Sequence, residues 1–235
     1  MLLAIDTATR RAGVALGDAD GVVGEIGLGA AGLSSPPRHT EQLAPAIEYL
    51  TRETGVPLRA VDAIAISIGP GMFTGLRVGV VTAKALGVGL GVPLVAVPTL
   101  DLVAWPLRHA REHRLVAMLD ARRSEVYWAA YRPVPGGVQR ERDDTISPPD
   151  DVAAELEASG ETALVAGDGA ERFASVFADN DRVHLAGPAH AAPSLAALVW
   201  LGSAAVARGE GVAAAAVVPR YLRRSDAELA LEARA

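Results

Sequence analysis

In the stretch SIGPGMFTGLRVGVVTAKALG, Ser67 to Gly87, the glycines Gly69, Gly71 and Gly75 run into a segment of helical spacing that carries hardly any charge. Amides of a glycine turn at a helix N-terminus can hold an anion, so phosphate binding is the first chemistry to consider. Two familiar phosphate loops fail on their residues. A P-loop ends in Gly-Lys-Ser/Thr, which GPGMFTGLR lacks, and the dinucleotide fingerprint needs G-x-G-x-x-G where these glycines fall at 69, 71 and 75. What remains is a generic anion turn, or a turn in which glycine serves backbone geometry and close packing. Other chemistry-bearing side chains are sparse. With no cysteine there is no thiolate metal site, cysteine nucleophile or disulfide, which fits a reducing compartment and makes the cytoplasm the expected location. The histidines are His39, His109, His113, His184 and His190. His109 and His113 share i, i+4 spacing and read as a solvated helix face, so no metal site is expected.

The elements that must position the turn follow from hydrophobic periodicity. Leu2–Ile5, Ala12–Leu16 and Val22–Leu28 read as a strand meander, and LGAAGLSSPPRH as a loop. In HTEQLAPAIEYLTRETG the residues Leu43, Ile47 and Leu50 fall at i, i+4, i+7, which predicts a helix with one apolar stripe, Thr40 as N-cap, Glu41 and Glu48 pairing with Arg52, and Gly55 at its end. VDAIAISIG predicts a buried strand, Thr74 caps a helix through Leu90, and PLVAVPT returns to strand. This strand, helix, strand unit is a parallel crossover. Past Pro106 the pattern restarts. Two strands flank a turn at Ala121 to Glu125, RPVPGGVQRERDD reads as a surface loop, ETALVAGDGAERF as a strand running through a glycine turn, and PSLAALVWLGSAAVARG as an amphipathic helix. The expected division is 1–105 for one α/β lobe and 106–205 for a second, with 206–235 packing back on the first.

Composition removes some functions. Of 235 residues 50% are hydrophobic, enough for a substantial core, and the formal charge of −6 argues against a chain that grips nucleic acid by itself. The uncharged run Ala85 to Leu100 is broken by glycine and proline and falls short of the about 20 residues that span a bilayer, so no membrane association is expected. Between Leu76 and Leu90 only Arg77 and Lys84 are charged, so apolar and small side chains point nearly all round that helix. Such a helix has two covered faces, and Gly79, Ala83 and Gly87 would let the Leu43, Ile47, Leu50 helix approach it.

The segments AIDTAT, HTEQLAPAI, GPGMFTGLRVGVVTAKALG, VAVPTLDLVA, DARRSEVYWAAY, VAGDGA and PRYLRR, in this order, resemble the bacterial TsaB family, also called YeaZ. The resemblance covers nearly the whole chain, and Gly69 to Gly79 is its most specific part. It implies a duplicated two-lobe α/β fold like that of actin, Hsp70 and sugar kinases. It also implies a non-catalytic partner subunit of TsaD in forming N6-threonylcarbamoyladenosine at position 37 of tRNAs that read codons beginning with A. TsaE is implied as an ATPase companion, a homodimer as the state of the chain alone, and tRNA as reached through the complex. TsaD is similar around the glycine turn but carries a His-x-x-x-His metal pair just beyond it, where this chain has Thr99 and Val103. Kinases and ATPases of this fold begin Asp-x-Gly-Thr, where this chain has Asp6, Thr7, Ala8, Thr9. The alanine methyl crowds the approach of phosphate, so no nucleotide is expected on the chain alone, and Asp6, Thr9, Gly69, Gly71 and Gly75 are candidates for contact with a nucleotide at the interface with TsaD. The helix pair is similar to the family's docking surface, which makes Leu43, Ile47, Leu50, Arg77, Val78, Val81 and Lys84 the expected interface. The competing reading is a metal-dependent glycoprotease-like or small-kinase-like enzyme of the same fold.

Overall fold

A computed structural model describes residues 1–29 and 39–223. Its first unit comprises β1 (Leu2–Asp6), β2 (Ala12–Asp18), β3 (Gly21–Leu28), α1 (His39–Thr54), β4 (Ala63–Ser67), α2 (Phe73–Leu90) and β5 (Leu94–Val97), followed by α3 (Thr99–Ala104). The second comprises β6 (Arg114–Arg122), β7 (Glu125–Val134), β8 (Gly137–Ser147), α4 (Pro149–Ser159), β9 (Ala163–Ala166), α5 (Asp168–Arg172) and β10 (Val183–Leu185), followed by α6 (Leu195–Ala207). The sheets run β3-β2-β1-β4-β5 and β10-β9-β6-β7-β8. In each, an antiparallel meander is followed by two parallel strands that join beyond its first strand. The same connection made twice is the duplicated α/β fold of actin, Hsp70 and the sugar kinases.

The first sheet is buried on both faces, which is why its central strands are continuous apolar runs. Leu3, Ile5, Ile64 and Ile66 face α1 and α2, and Leu2, Ala4, Ala63 and Ala65 face α6. The alanines on that second face let a helix come close: a Cβ on Gly202 of α6 would stand 2.7 Å from the Cβ of Ala65. α6, expected within the second lobe as an amphipathic helix, therefore belongs to the core of the first, and it is apolar round much of its girth. α3 crosses the other way, with Leu100, Val103 and Ala104 packed among Leu115, Leu119 and Tyr131 of the second sheet. The final helix of each unit thus covers the sheet of the other. α2 and the segment Pro188–Ala207 are long and apolar enough to cross a membrane by length and composition, and α2 and α6 both lie against this sheet.

Several local expectations are corrected. RPVPGGVQRERDD is not a loop: β7 and β8 form a hairpin through Pro135 and Gly136, and Arg140 of β8 pairs with Asp101 and Asp144. His109 and His113 share no helix, because the chain turns after the 3₁₀ turn Trp105–Leu107, and the His113 ring instead meets His184 edge-on at 5.6 Å. Thr40 lies inside α1, which begins at His39, and Arg52 pairs with Glu53 at 3.0 Å. α2 begins at Phe73 with Met72 as N-cap, so Thr74 is its second residue. Gly55 ends α1 with a φ of +69°. The LGAAGLSSPPRH loop, apart from its ends, and the tail beyond Arg223 lie outside the described residues.

Candidate functional site

The glycine turn joins β4 to α2 and is packed shut by its own chain. Gly69, with a φ of +112° before a cis Pro70, donates its amide to Thr99 Oγ1 at 3.0 Å and accepts from the Thr99 amide at 2.9 Å. The Met72 amide donates to the Ala8 carbonyl at 2.7 Å. A Cβ on Gly71 would lie 2.3 Å from that same oxygen, and one on Gly79 would lie 2.2 Å from Thr7 Oγ1. The glycines therefore serve close approach to the Asp6–Thr9 loop and to the sheet: a Cβ on Gly79 would meet Thr7 and Ile66, and one on Gly87 would meet Leu94. The amide of Gly69, expected to face an anion, is spent on Thr99, and that of its neighbour Met72 on Ala8. The hydroxyl of Thr99 is likewise committed, and Val103 sits in the core. Among the described residues no group of three or more His, Cys, Asp or Glu could hold a metal ion.

Asp6 ends β1 beneath this turn and is buried. Its Oδ1 accepts from the Ser67 hydroxyl and from the Ala8 amide, and Thr9 Oγ1 donates to the Arg11 carbonyl at 2.9 Å. Burial, only partly opposed by those hydrogen bonds, raises its carboxyl from 3.8 to about 6. Of the five nucleotide candidates, Asp6 alone lines the cleft of about 390 Å³ between β2, β3 and the start of α6, where Arg11, Glu25, His190 and Ser194 also stand. Thr9, Gly69, Gly71 and Gly75 are not on its wall. The second unit repeats the theme. Gly167, φ +111°, approaches Met118 so closely that a Cβ would clash with its carbonyl, and Asp168, raised by burial to about 6, accepts from the Asp120 amide at 2.9 Å.

The Asp6 carboxyl gives a pH prediction. Because its folded value lies above the unfolded 3.8, the folded chain holds a proton that the unfolded chain releases between about pH 4 and 6. Its contribution to stability therefore falls as pH rises through that window, by about 3 kcal/mol for two units, and is constant above it. Asp6→Asn keeps an acceptor for Ser67 and Ala8 without the charge. Its melting temperature relative to the parent should climb from pH 4 to 6 and then level off; a difference that does not vary with pH contradicts this.

The expected interface divides in two. Leu43, Ile47 and Leu50 do not reach the surface: the α1 stripe is buried against Leu3, Val14 and Ile64, because a single apolar stripe is what the core itself requires. α2 is different. Gly75, Leu76, Gly79, Val80 and Ala83 face the sheet, while Val81 is 64% exposed and Val88 75% exposed, with Val78 half-buried beside them. Tyr49 of α1 is 51% exposed, with Arg52 over its ring. Tyr49 and Val88 escaped the sequence reading, although Val88 stands seven residues from Val81 and so on the same helix face. Arg77 and Lys84 turn toward the C-terminal segment: Arg77 Nε donates to the Tyr221 hydroxyl at 3.2 Å and lies over Phe73, and Lys84 Nζ donates to the Ala215 carbonyl at 3.3 Å.

Comparison with known proteins places this arrangement. The family profile of TsaD, tRNA N6-adenosine threonylcarbamoyltransferase, matches residues 34–231. The tRNA threonylcarbamoyladenosine biosynthesis protein TsaB of Escherichia coli K12 is 36% identical over 140 residues, 58% of this chain and 57% of that protein. An uncharacterized protein of Mycobacterium tuberculosis H37Rv is 31% identical over 192 residues, 81% of this chain and 77% of that protein. The alignment thus spans little more than half of the E. coli relative. The solved structure of YeaZ from Pseudomonas aeruginosa superposes with a TM-score of 0.77 at 32% identity, over 94% of this chain and 99% of that one. The YeaZ structure, matched over nearly its whole length at 32% identity, and the named TsaB relative carry one conclusion: the chain belongs to the TsaB (YeaZ) family.

Proposed function

We propose that the chain is a non-catalytic subunit that docks a TsaD-type threonylcarbamoyltransferase through the outer face of α2, and so supports formation of N6-threonylcarbamoyladenosine at position 37 of tRNAs reading codons that begin with A. The observation that carries the reading is the pair Val81 and Val88, 64% and 75% exposed on one face of a helix whose other side is core. Burying each would contribute about 1.5–3 kcal/mol, so a partner gains from covering them together. In this reading the same face self-pairs when the partner is absent. A TsaE-type ATPase joins the complex in the cytoplasm, and tRNA is held by the assembly, in keeping with the formal charge of −6. A nucleotide at the shared interface would meet Asp6 only through the cleft, since the glycine turn has spent two of its amides internally. Among the described residues no catalytic constellation favours a peptidase or kinase: the hydroxyl of Thr99 and the carboxylate of Asp6 are engaged with their own chain.

The test is depletion in the native organism with mass spectrometry of tRNA nucleosides. The modified adenosine should fall and return with the wild-type chain. Unchanged modification on depletion would remove the proposed role and leave a self-associating protein with some other task.

A further inference from the structure

The segment after α6 does more than pack back on the first unit. Val212 bridges Leu94 with amide–carbonyl bonds of 2.9 Å in both directions, and Val217 is in the first core. Then, within four residues, the chain grips both units. The Arg220 amide donates to the Ile68 carbonyl at 2.7 Å, and the Arg220 carbonyl fills the space beside Gly69, 2.5 Å from where a Cβ would stand. The Tyr221 ring lies 4.8 Å from Phe73, the first residue of α2, and its hydroxyl accepts from Arg77. Further contacts are with the second unit. Arg220 Nη1 stands 2.7 Å from Oδ2 of Asp144, whose side chain is otherwise paired with Arg140 and fully buried, and Leu222 packs into the core with Leu115 and Leu119. Arg223 donates to the Ala121 carbonyl at 2.8 Å and binds the Glu125 carboxylate. Ala121 and Glu125 bracket Arg122, Arg123 and Ser124, three consecutive non-glycine residues at φ values of +63°, +51° and +57°. Left-handed backbone in such residues persists only where its surroundings hold it, and Arg223 holds both ends of this turn.

We propose that Arg220–Arg223 is an interlobe strap that couples the glycine turn and the start of α2 to the strained Arg122–Ser124 turn, so that release at either end loosens both. The coupling follows from one short chain carrying both sets of contacts, and it stands whether or not α2 docks a transferase. A load placed on the outer face of α2 would reach the second sheet through Tyr221 and Arg223, and a ligand or partner that displaces Tyr221 would free the Arg122–Ser124 turn.

Arg223→Gln tests this on the full chain, because it removes the bonds to Ala121 and Glu125, both in the second unit. Amide hydrogen exchange should quicken about tenfold at residues 121–126 and likewise at Gly69–Leu76 in the first unit, with β2 unchanged. Should Arg223→Gln not fold, Arg223→Lys, which keeps the charge toward Glu125 but not the forked donor, is read the same way with a smaller increase. A change confined to 121–126, an increase spread uniformly over both sheets, or no change at all would overturn the strap.

Discussion

Val81→Glu combined with Val88→Glu should weaken binding to a TsaD-type partner by at least a thousandfold, about 4 kcal/mol, while leaving the fold intact. Two carboxylates forced against an apolar partner surface would be desolvated without a counterion, a cost of several kcal/mol. In the free chain both positions are largely in water, where such substitutions change stability by about 0.5 kcal/mol or less. Calorimetric titration, with melting temperature as control, reads both quantities. Ile47→Glu, which the sequence reading makes an interface test, should behave oppositely. It places a charge among Leu3, Val14 and Ile64 and should unfold the chain before any partner is added. Normal binding by the double variant would move the interface off α2.

The second large effect is on folding. Gly71→Ala puts a methyl 2.3 Å from the Ala8 carbonyl oxygen and 3.0 Å from its carbon, both backbone atoms of the loop that carries Asp6. Neither can retreat without breaking the Met72 to Ala8 hydrogen bond or moving Thr7, whose hydroxyl donates to the Gly75 carbonyl at 2.7 Å. Destabilisation of about 3 kcal/mol or more should follow, a loss of roughly 6–12 °C in melting temperature for a domain of this size. Gly89→Ala is the matched control. It stands in α2, the helix behind the turn, with nothing within 4 Å of the added methyl, so it should stabilise by about 0.5–1 kcal/mol. Equal effects at the two positions would mean that the close approach to Ala8 does not constrain Gly71.

What the sequence disclosed depended on whether a residue's pattern had one structural use or two. The run AIAIS and the i, i+4, i+7 spacing of Leu43, Ile47 and Leu50 each had one, and both elements stand where periodicity put them. The α1 stripe cannot also serve a partner, since a helix with a single apolar stripe has nothing left after packing on its sheet. On α2 the apolar surplus did mark an exposed face, and the step from Val81 to Val88 would have located its far end. The hairpin strand β8 was hidden because its alternation is of charges: Arg140 turns to Asp144 and Asp101, pairs that only the folded chain brings together. The sequence places α6 with the second lobe, and the structure packs it on the first sheet, for a related reason. Apolarity says that a helix is buried, and the identity of the sheet that buries it is a matter of topology. The glycine turn was ambiguous between phosphate and packing until Ala8, Thr99 and Arg220 were seen to occupy its surroundings.

The most direct measurement is the rate of threonylcarbamoyladenosine formation on tRNA by a purified TsaD-type transferase, with its ATPase companion and threonylcarbamoyl donor, as this chain is titrated in. The rate should rise from near zero and saturate at one chain per transferase, the chain without the transferase should form none, and the Val81→Glu, Val88→Glu chain should leave the rate near its starting value. Full activity without the chain, or an equal response to the double variant, would contradict a subunit that works by docking through α2.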